Sequence, residues 1–388
     1  MPQQQLNNAI VVKIKHSNRS VFFICVYNID KVFICVIFSG KGFTMLEKIY
    51  NAVLDFYFPI SSYVRKLPYV LVFKTTNYCW NNCPHCCERS GTKAPKVYMP
   101  ADTIKSFISQ AKQDPLFSDD VVFTGGEIFT AYRFYDKHYV PDLLDYALSN
   151  DCVVDIKTNA GWALRKNDTG DGIFDDLTAV LSKFSHGTLD MSRLQISLSL
   201  DRFHPLCLEK NTRFITELSR RQKNSACMVH ISSFAQDADM FNVLLAELKR
   251  QGNTVEEYFA MGDTSKKIYY GINGTVVMYQ NFGCLFNGGR AKDLDLPNRS
   301  DVSQFQFLSF EKSPRVMMGL GANGDIVLGE NMDINIKTRW CDESGKPRPL
   351  AEIKKDLVHD TRRAELNYIK SAMWADAKKI LKKIGVCR

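Results

Sequence analysis

The sequence predicts an α/β fold built on a parallel β-sheet, and three observations lead to this prediction. From residue 69 onward, short β-prone segments alternate with helical segments. The predicted strands are mostly apolar, as is typical of a sheet covered by helices. Residues suited to binding a ligand follow several of these strands, where parallel α/β folds place their sites. The candidate strands are Tyr69–Thr75, Asp120–Phe123, Val153–Lys157, Arg193–Leu200, Cys227–Ser232 and Thr275–Gln280.

Helices are predicted between these strands. Pro100 stands where a first-turn proline is tolerated, and Asp237 is a suitable cap for a helix that follows it. The candidate helices are Ala101–Gln113, Pro141–Ser149, Asp175–Phe184, Glu209–Arg221 and Ala238–Arg250.

The segment before residue 69 is predicted to be an N-terminal extension, residues 1–68. Its apolar runs Val21–Tyr27 and Val32–Phe38 flank the polar segment Asn28–Lys31, a pattern typical of a hairpin. An Asp and a Lys in the middle argue against a transmembrane helix, and the layout is not that of a signal peptide. Met45–Phe58 is predicted to be an amphipathic helix.

Composition narrows the class of protein. The chain has 388 residues, which is enough for one large α/β domain with an appendage. Its 12 cysteines without a recognisable secretory leader indicate a reducing, cytoplasmic location, with metal-bound or free thiols rather than disulfides. A net charge of +8 permits an anionic partner, but a solvated lysine-rich surface is the better default, and we expect no DNA partner.

Three cysteines dominate the chemistry. Cys79, Cys83 and Cys86 stand in a C-x3-C-x2-C spacing just after the apolar run Tyr69–Phe73. Three thiolates on one loop can hold three corners of a cubic iron–sulfur cluster, which leaves one iron open to a small molecule. The spacing therefore predicts a catalytic cluster rather than a structural one.

A second motif follows the second predicted strand. Gly125 and Gly126 allow a close approach of the backbone to a ligand, and the Glu127 carboxylate can accept hydrogen bonds from an ammonium group. Strand, cysteine loop, helix, strand and Gly-Gly-Glu, in this order, resemble the radical S-adenosylmethionine (radical SAM) enzymes. The resemblance covers residues 69–235 well and residues 236–330 faintly.

The resemblance implies a partial, open (β/α)6 barrel over residues 69–283. Cys79, Cys83 and Cys86 would hold a [4Fe–4S] cluster, and Gly125, Gly126 and Glu127 would bind the amino group of S-adenosylmethionine. Family members use the ends of the third and fourth strands for the same cofactor. The corresponding residues here are Thr158, Asn159, Ser197 and Ser199.

Three further residues are site candidates. Asp201 and His204 follow the fourth strand and are the candidate catalytic residues, although His204 could equally be structural. His85 stands where family members carry an aromatic residue and is expected to pack beside the adenine. Arg202 is either a substrate anchor or a surface residue, and Cys87 is expected to be a bystander.

Residues 284–388 are predicted to form a C-terminal α+β extension. Gly288–Ala291 resembles a Gly-Arg-Ala element of peptide-modifying members, and Met317–Gly329 is predicted to be a hairpin with an Asn-Gly turn. The C-x2-C-x5-C-x3-C run of the SPASM extension is absent, which disfavours an auxiliary cluster. The remaining cysteines are expected to be buried small hydrophobes, and a lysine-rich helical region closes the chain. The cysteines concerned are Cys284, Cys341 and Cys387, and the helical region is Leu350–Ile384.

The family resemblance implies an enzyme that takes one electron from reduced flavodoxin or ferredoxin and abstracts hydrogen from a substrate. The Gly-Arg-Ala element and the hairpin favour a ribosomally made peptide, which would be crosslinked or otherwise modified. One alternative is modification of a small molecule or nucleotide. Another is a zinc-binding RNA- or protein-interaction module, in which the βα alternation and Gly125–Glu127 would have no explanation.

Overall fold

The computed structural model describes most of the chain from residue 68 and two short segments before it. The described residues are 10–15, 21–26, 68–86, 88–165, 168–184, 193–222, 227–259, 268–283, 290, 294, 316–328 and 336–363. The chain divides into two compact units, Met1–Pro59 and Ile60–Arg388.

The first unit contains an antiparallel hairpin of β1 (Ile10–Lys15) and β2 (Val21–Val26). The sequence predicted that the second of these segments would pair with Val32–Phe38. The structure pairs it with an earlier run, Ile10–Lys15, whose Ile and Val residues favour a strand. The Val32–Phe38 run and the predicted helix Met45–Phe58 lie outside the described residues.

The second unit is built on one ten-stranded sheet in the order β12-β11-β3-β4-β5-β6-β7-β10-β9-β8. The seven strands from β11 to β10 pair in parallel, and the three outer strands pair antiparallel. The strands are β3 (Tyr69–Lys74), β4 (Phe117–Thr124), β5 (Val153–Thr158), β6 (Leu194–Ser199), β7 (Cys227–Phe234), β8 (Val255–Phe259), β9 (Ile268–Ile272), β10 (Val276–Gly283), β11 (Val316–Gly321) and β12 (Ile326–Leu328). The edge strands β12 and β8 are not paired with each other, so the sheet is open, and the predicted α/β class is confirmed.

Helices connect the parallel strands. They are α1 (Ala101–Ala111), α2 (Ala131–Phe134), α3 (Tyr139–Ser149), α4 (Asp168–Phe184), α5 (Cys207–Arg221), α6 (Asp239–Arg250) and α7 (350–363). In α1, Ile104, Phe107, Ile108 and Ala111 are buried at helical spacing. Burying a large side chain of this kind contributes about 1.5–3 kcal/mol, so packing of this stripe holds the helix on the sheet. None of the described helices is both long and apolar enough to span a bilayer.

The two faces of the sheet differ in character. Alternate residues such as Leu71, Phe73 and Ile156 pack with the helices in the main core. The residues between them face the other way, where Val70, Val72 and Val122 form a separate small cluster. We call this second side, which carries no helix-packed core residues among those described, the inner face.

Two features of the fold differ from the sequence prediction. The hairpin β11–β12 forms as predicted, but β11 pairs in parallel with β3 and so extends the main sheet. Strands β8 and β9 were not predicted from the sequence. In β8 the pair Glu256–Glu257 obscures the strand pattern, and antiparallel pairing with distant residues makes it a strand.

Candidate active site at the carboxyl edge of the sheet

The three cysteines lie on one loop, residues 75–100, which joins β3 to α1 and is called the cysteine loop below. Cys79 and Cys83 are buried, Cys86 is partly buried, and all three thiols are free. Burial, with smaller contributions from Glu127, Cys83 and Cys86, raises the pKa of the Cys79 thiol to about 12. The charges that raise this pKa thus come from Glu127 and from the other two thiols of the same loop.

Gly125 and Gly126 dock directly against the cysteine loop. The Gly126 N–H donates to Thr76 O at 2.6 Å, and the Glu127 N–H donates to Tyr78 O at 2.9 Å. Gly125 has a φ of 121°, which only glycine adopts readily. A Cβ on Gly126 would lie 2.1 Å from Tyr78 O, so no other residue fits there without displacing the loop. The two motifs thus form one backbone-bonded unit.

The Glu127 side chain is completely buried and connects this unit to β5. Its carboxylate accepts hydrogen bonds from Thr158 Oγ1 at 2.8 Å, from Asn159 N at 2.9 Å and from Phe129 N at 3.3 Å. Burial raises the pKa of Glu127 to about 7, although these hydrogen bonds oppose that rise. The Glu127 carboxylate therefore joins the segment after β4 to the end of β5 through hydrogen bonds.

Thr158 and Asn159 lie at the carboxyl end of β5, beside the cysteine loop. Asn159 Nδ2 donates to Cys79 Sγ at 3.4 Å, and Thr158 Oγ1 accepts from Trp162 Nε1 at 3.2 Å. Asn159 thus forms a hydrogen bond with a predicted cluster ligand. The Thr158 hydroxyl is instead hydrogen-bonded to Glu127 and Trp162 of the same chain.

A group of polar and aromatic rings lies next to Cys83. Asp201 is buried, and its Oδ2 lies 2.7 Å from His204 Nδ1 and 4.0 Å from His85 Nε2. Burial lowers the pKa of His204, but hydrogen bonds to Asp201 and Cys83 outweigh it and raise that pKa to about 9. The rings of Phe203 and Phe234 pack against His85 at centroid distances of 4.9 and 5.6 Å. The predicted residues Asp201, His204 and His85 are thus brought together.

Ser197 and Ser199 lie on β6. Ser197 Oγ donates to Asp155 Oδ1 at 2.6 Å and lies 3.2 Å from His230 Nδ1 in a polar cluster on the inner face. Ser199 O accepts a hydrogen bond from Asn211. Arg202 is bound to Asp237, with Nε and Oδ1 2.6 Å apart, so this guanidinium is already paired.

Lys210 is a site residue that the sequence analysis missed. It lies in the first turn of α5 and is only 5% exposed, and its ammonium has no hydrogen bond or ion pair among the described residues. Burial lowers its pKa, while the charges of Cys83 and Glu127 act in the opposite direction, which places the ammonium near both. The available signal was a lysine within the buried stripe that contains Cys207 and Phe214.

Fold and site together define an α/β protein whose open parallel sheet carries a three-cysteine loop at its carboxyl edge. No protein-family model matches the sequence, and no curated protein matches it. Two solved structures of SuiB from Streptococcus suis are similar to it. One is bound to S-adenosylmethionine, with a TM-score of 0.39, 16% identity and coverage of 75% of this chain and 66% of SuiB. The other is bound to the precursor peptide SuiA, with a TM-score of 0.35, 14% identity and coverage of 75% and 67%.

A structure of anSMEcpe with bound AdoMet is also similar, with a TM-score of 0.33, 13% identity and coverage of 48% of this chain and 49% of anSMEcpe. The chain therefore spans about two thirds of SuiB and about half of anSMEcpe.

Proposed function

We propose that this chain is a radical SAM enzyme in which Cys79, Cys83 and Cys86 hold a [4Fe–4S] cluster. The observation that carries this proposal is the pair of backbone hydrogen bonds joining the cysteine loop to Gly126 and Glu127. They place a three-thiol loop and a Gly-Gly-Glu turn side by side at the carboxyl edge of a parallel sheet. This is where parallel α/β folds bind their ligands.

The residues present suit a cluster better than a single zinc ion. Among the described residues, the three ligating side chains close enough to share one ion are His85, Asp201 and His204. The three thiols do not form such a group, whereas tetrahedral zinc needs its ligands within about 2.3 Å of one centre. Buried polar atoms that have no hydrogen-bond partner within the described part of the chain also line the loop, as expected of a ligand site. They are Trp80 Nε1, Asn81 Nδ2 and His85 Nδ1.

When bound, the cluster supplies one electron, received from reduced flavodoxin or ferredoxin, for reductive cleavage of S-adenosylmethionine. The protein binds and orients the cofactor and excludes water. Lys210 is a buried cation available for the carboxylate of the cofactor. The backbone of the Gly125–Gly126 turn is available for the amino group of the cofactor. The rings of His85, Phe203 and Phe234, which pack on one another, would offer aromatic surface to the adenine. His204, held by Asp201, is the group placed to bind or orient substrate.

Replacing Lys210 by methionine is expected to weaken S-adenosylmethionine binding about 30-fold, because a buried charge pair is worth at least about 2 kcal/mol. The same change is expected to raise the thermal unfolding midpoint of the cofactor-free protein. Burial disfavours the charged amine, as the lowered pKa of Lys210 indicates, and methionine removes that cost. Equilibrium binding and thermal unfolding measure the two effects.

The exposed Lys249 in the last turn of α6 provides the matched control. Lys249→Met is expected to leave both quantities unchanged. If Lys210→Met bound the cofactor as tightly as the wild type, Lys210 would not hold its carboxylate.

We propose a ribosomally made peptide as the substrate class. The support is the Gly288–Ala291 element together with the β11–β12 hairpin. A peptide precursor encoded beside this chain would favour this substrate, and a neighbouring nucleotide or cofactor pathway would favour a small molecule.

The test is anaerobic purification, reconstitution with iron and sulfide, and incubation with dithionite and S-adenosylmethionine. Mass spectrometry of 5′-deoxyadenosine and metal analysis are the measurements. We expect iron equivalent to one cubane cluster and formation of 5′-deoxyadenosine. Bound zinc without cleavage would replace the radical mechanism by the zinc-binding interaction module.

A further inference from the structure

Arg290 lies between β10 and β11, far along the chain from the cysteines, yet it contacts the cysteine loop at three points. Its Nε donates to Cys83 O at 2.9 Å, and its Nη2 donates to Ser90 O at 2.7 Å. Its backbone N–H donates to Cys86 O at 3.0 Å. The sequence analysis noted Arg290 only as part of the Gly-Arg-Ala element.

These contacts hold a part of the loop that has little internal support. Within it, the Cys86 N–H donates to Cys83 O at 3.2 Å and the Arg89 N–H donates to Cys86 O at 3.3 Å, which lie at and just beyond the upper end of the usual range. A guanidinium is planar and presents its donors at fixed angles, so the carbonyls it binds are held in a fixed relation. Arg290 therefore determines where the backbone places Cys83 and Cys86.

The same side chain brings a permanent positive charge to the site. A guanidinium remains protonated at all relevant pH values. Its Nε lies 2.9 Å from Cys83 O, so this charge stands directly beside the loop that carries the thiols. A fixed cation beside an iron–sulfur cluster favours the more negative, reduced state, and local charge is one of the factors that set cluster potentials.

We propose that Arg290 is a positioning residue that fixes the geometry of the cysteine loop and raises the reduction potential of the cluster held there. This inference rests on the proposed function, because it requires a cluster on Cys79, Cys83 and Cys86. Arg290, which follows β10 in the chain, would thereby influence how readily the cluster accepts an electron.

Two substitutions separate geometry from charge. Arg290→Gln removes both the charge and the planar set of guanidinium donors. Arg290→Lys keeps the charge but removes the planar set of donors. Arg193→Gln is the matched control, because Arg193 precedes β6 at the opposite edge of the sheet and pairs with the exposed Asp151. Each reconstituted full-length protein is compared by iron content, by a redox titration followed by electron paramagnetic resonance, and by thermal unfolding.

We expect the affinity of Arg290→Gln for iron to be about tenfold lower than that of the wild type. This is in the range typical of substitutions of residues that contact a metal ligand. The midpoint potential of its remaining clusters is expected to be more negative than that of the wild type. Arg290→Lys is expected to lose iron to a similar extent while keeping a midpoint near the wild-type value. Only clusters give the resonance signal, so the midpoint is read from the cluster-bearing fraction alone. Arg193→Gln is expected to match the wild type.

Two outcomes would overturn the inference, and they are distinguishable. If the wild type forms a cluster and cleaves S-adenosylmethionine but Arg290→Gln shows the same iron content and midpoint, Arg290 has no such role and the proposed function stands. If the wild type binds no iron, the proposed function fails and the inference fails with it.

Discussion

Replacement of Cys83 by alanine is expected to abolish cleavage of S-adenosylmethionine, with a loss of more than about a hundredfold in rate. The change removes one of three thiolates from the proposed cluster, and losing even a residue behind a metal ligand typically costs 10- to about 100-fold. The fold is expected to remain largely intact, because the cysteine lies on a loop rather than in the helix-packed core. Production of 5′-deoxyadenosine and iron content measure the effect.

Cys152 provides the control for this experiment. It is a buried free cysteine at the start of β5, at the amino edge of the sheet and away from the cysteine loop. Cys152→Ala is expected to keep full iron content and activity, with at most a modest loss of stability from the lost packing. Near-normal cleavage by the Cys83 variant would remove the basis of the cluster assignment.

Replacement of Gly126 by alanine is the second change with a large expected effect. The new Cβ would lie 2.1 Å from Tyr78 O and 2.6 Å from Tyr78 C, both backbone atoms. The cysteine loop must therefore move, which strains the hydrogen bond to Thr76 O and shifts Cys79. We expect a loss of about 1–3 kcal/mol in the free energy of unfolding, as for overpacking in a core. Cofactor cleavage is expected to fall about a hundredfold, because small displacements at a reacting centre have effects of that size.

Gly172→Ala is the matched control. Gly172 lies within α4, and a Cβ built on it meets no atom within 4 Å. This substitution is expected to raise the free energy of unfolding by about 0.5–1 kcal/mol, because alanine restricts the unfolded chain and favours helix. Denaturant unfolding compares the two variants directly. Equal stability and equal activity for both would mean that contact between Gly126 and the cysteine loop has no functional consequence.

Local patterns in the sequence predicted the central strands closely. Tyr69–Thr75 and Val153–Lys157 correspond to β3 and β5 within one residue at each end. Such runs carry the apolar, β-branched residues that buried strands need, so periodicity alone locates them. Helix starts were less accurate, since α4 begins at Asp168 rather than at the predicted Asp175. The glycines in Asp168–Gly172 weaken the helical signal there.

The candidate site was predictable to the extent that its residues are close in sequence. The spacing of Cys79, Cys83 and Cys86 and the Gly-Gly-Glu run are properties of short segments. Their adjacency followed from the rule that parallel strands end at one edge. The involvement of Lys210 and Arg290 could not be derived in this way. Arg290 forms hydrogen bonds with the cysteine loop and Lys210 lies near Cys83 and Glu127, and only folding brings these residues together. A lone lysine or arginine in a sequence is most often a surface residue.

The sequence by itself determined the α/β class, the order of the central strands and the presence of a three-thiol loop, because these depend on patterns within a few residues. Only the tertiary structure decided that β11 joins β3, that the Glu127 carboxylate is bound by Thr158 and Asn159, and that Arg290 holds the cysteine loop. Each of these depends on pairing between distant segments. Such pairing is selected by the combined packing and hydrogen bonding of the whole sheet rather than by any local preference.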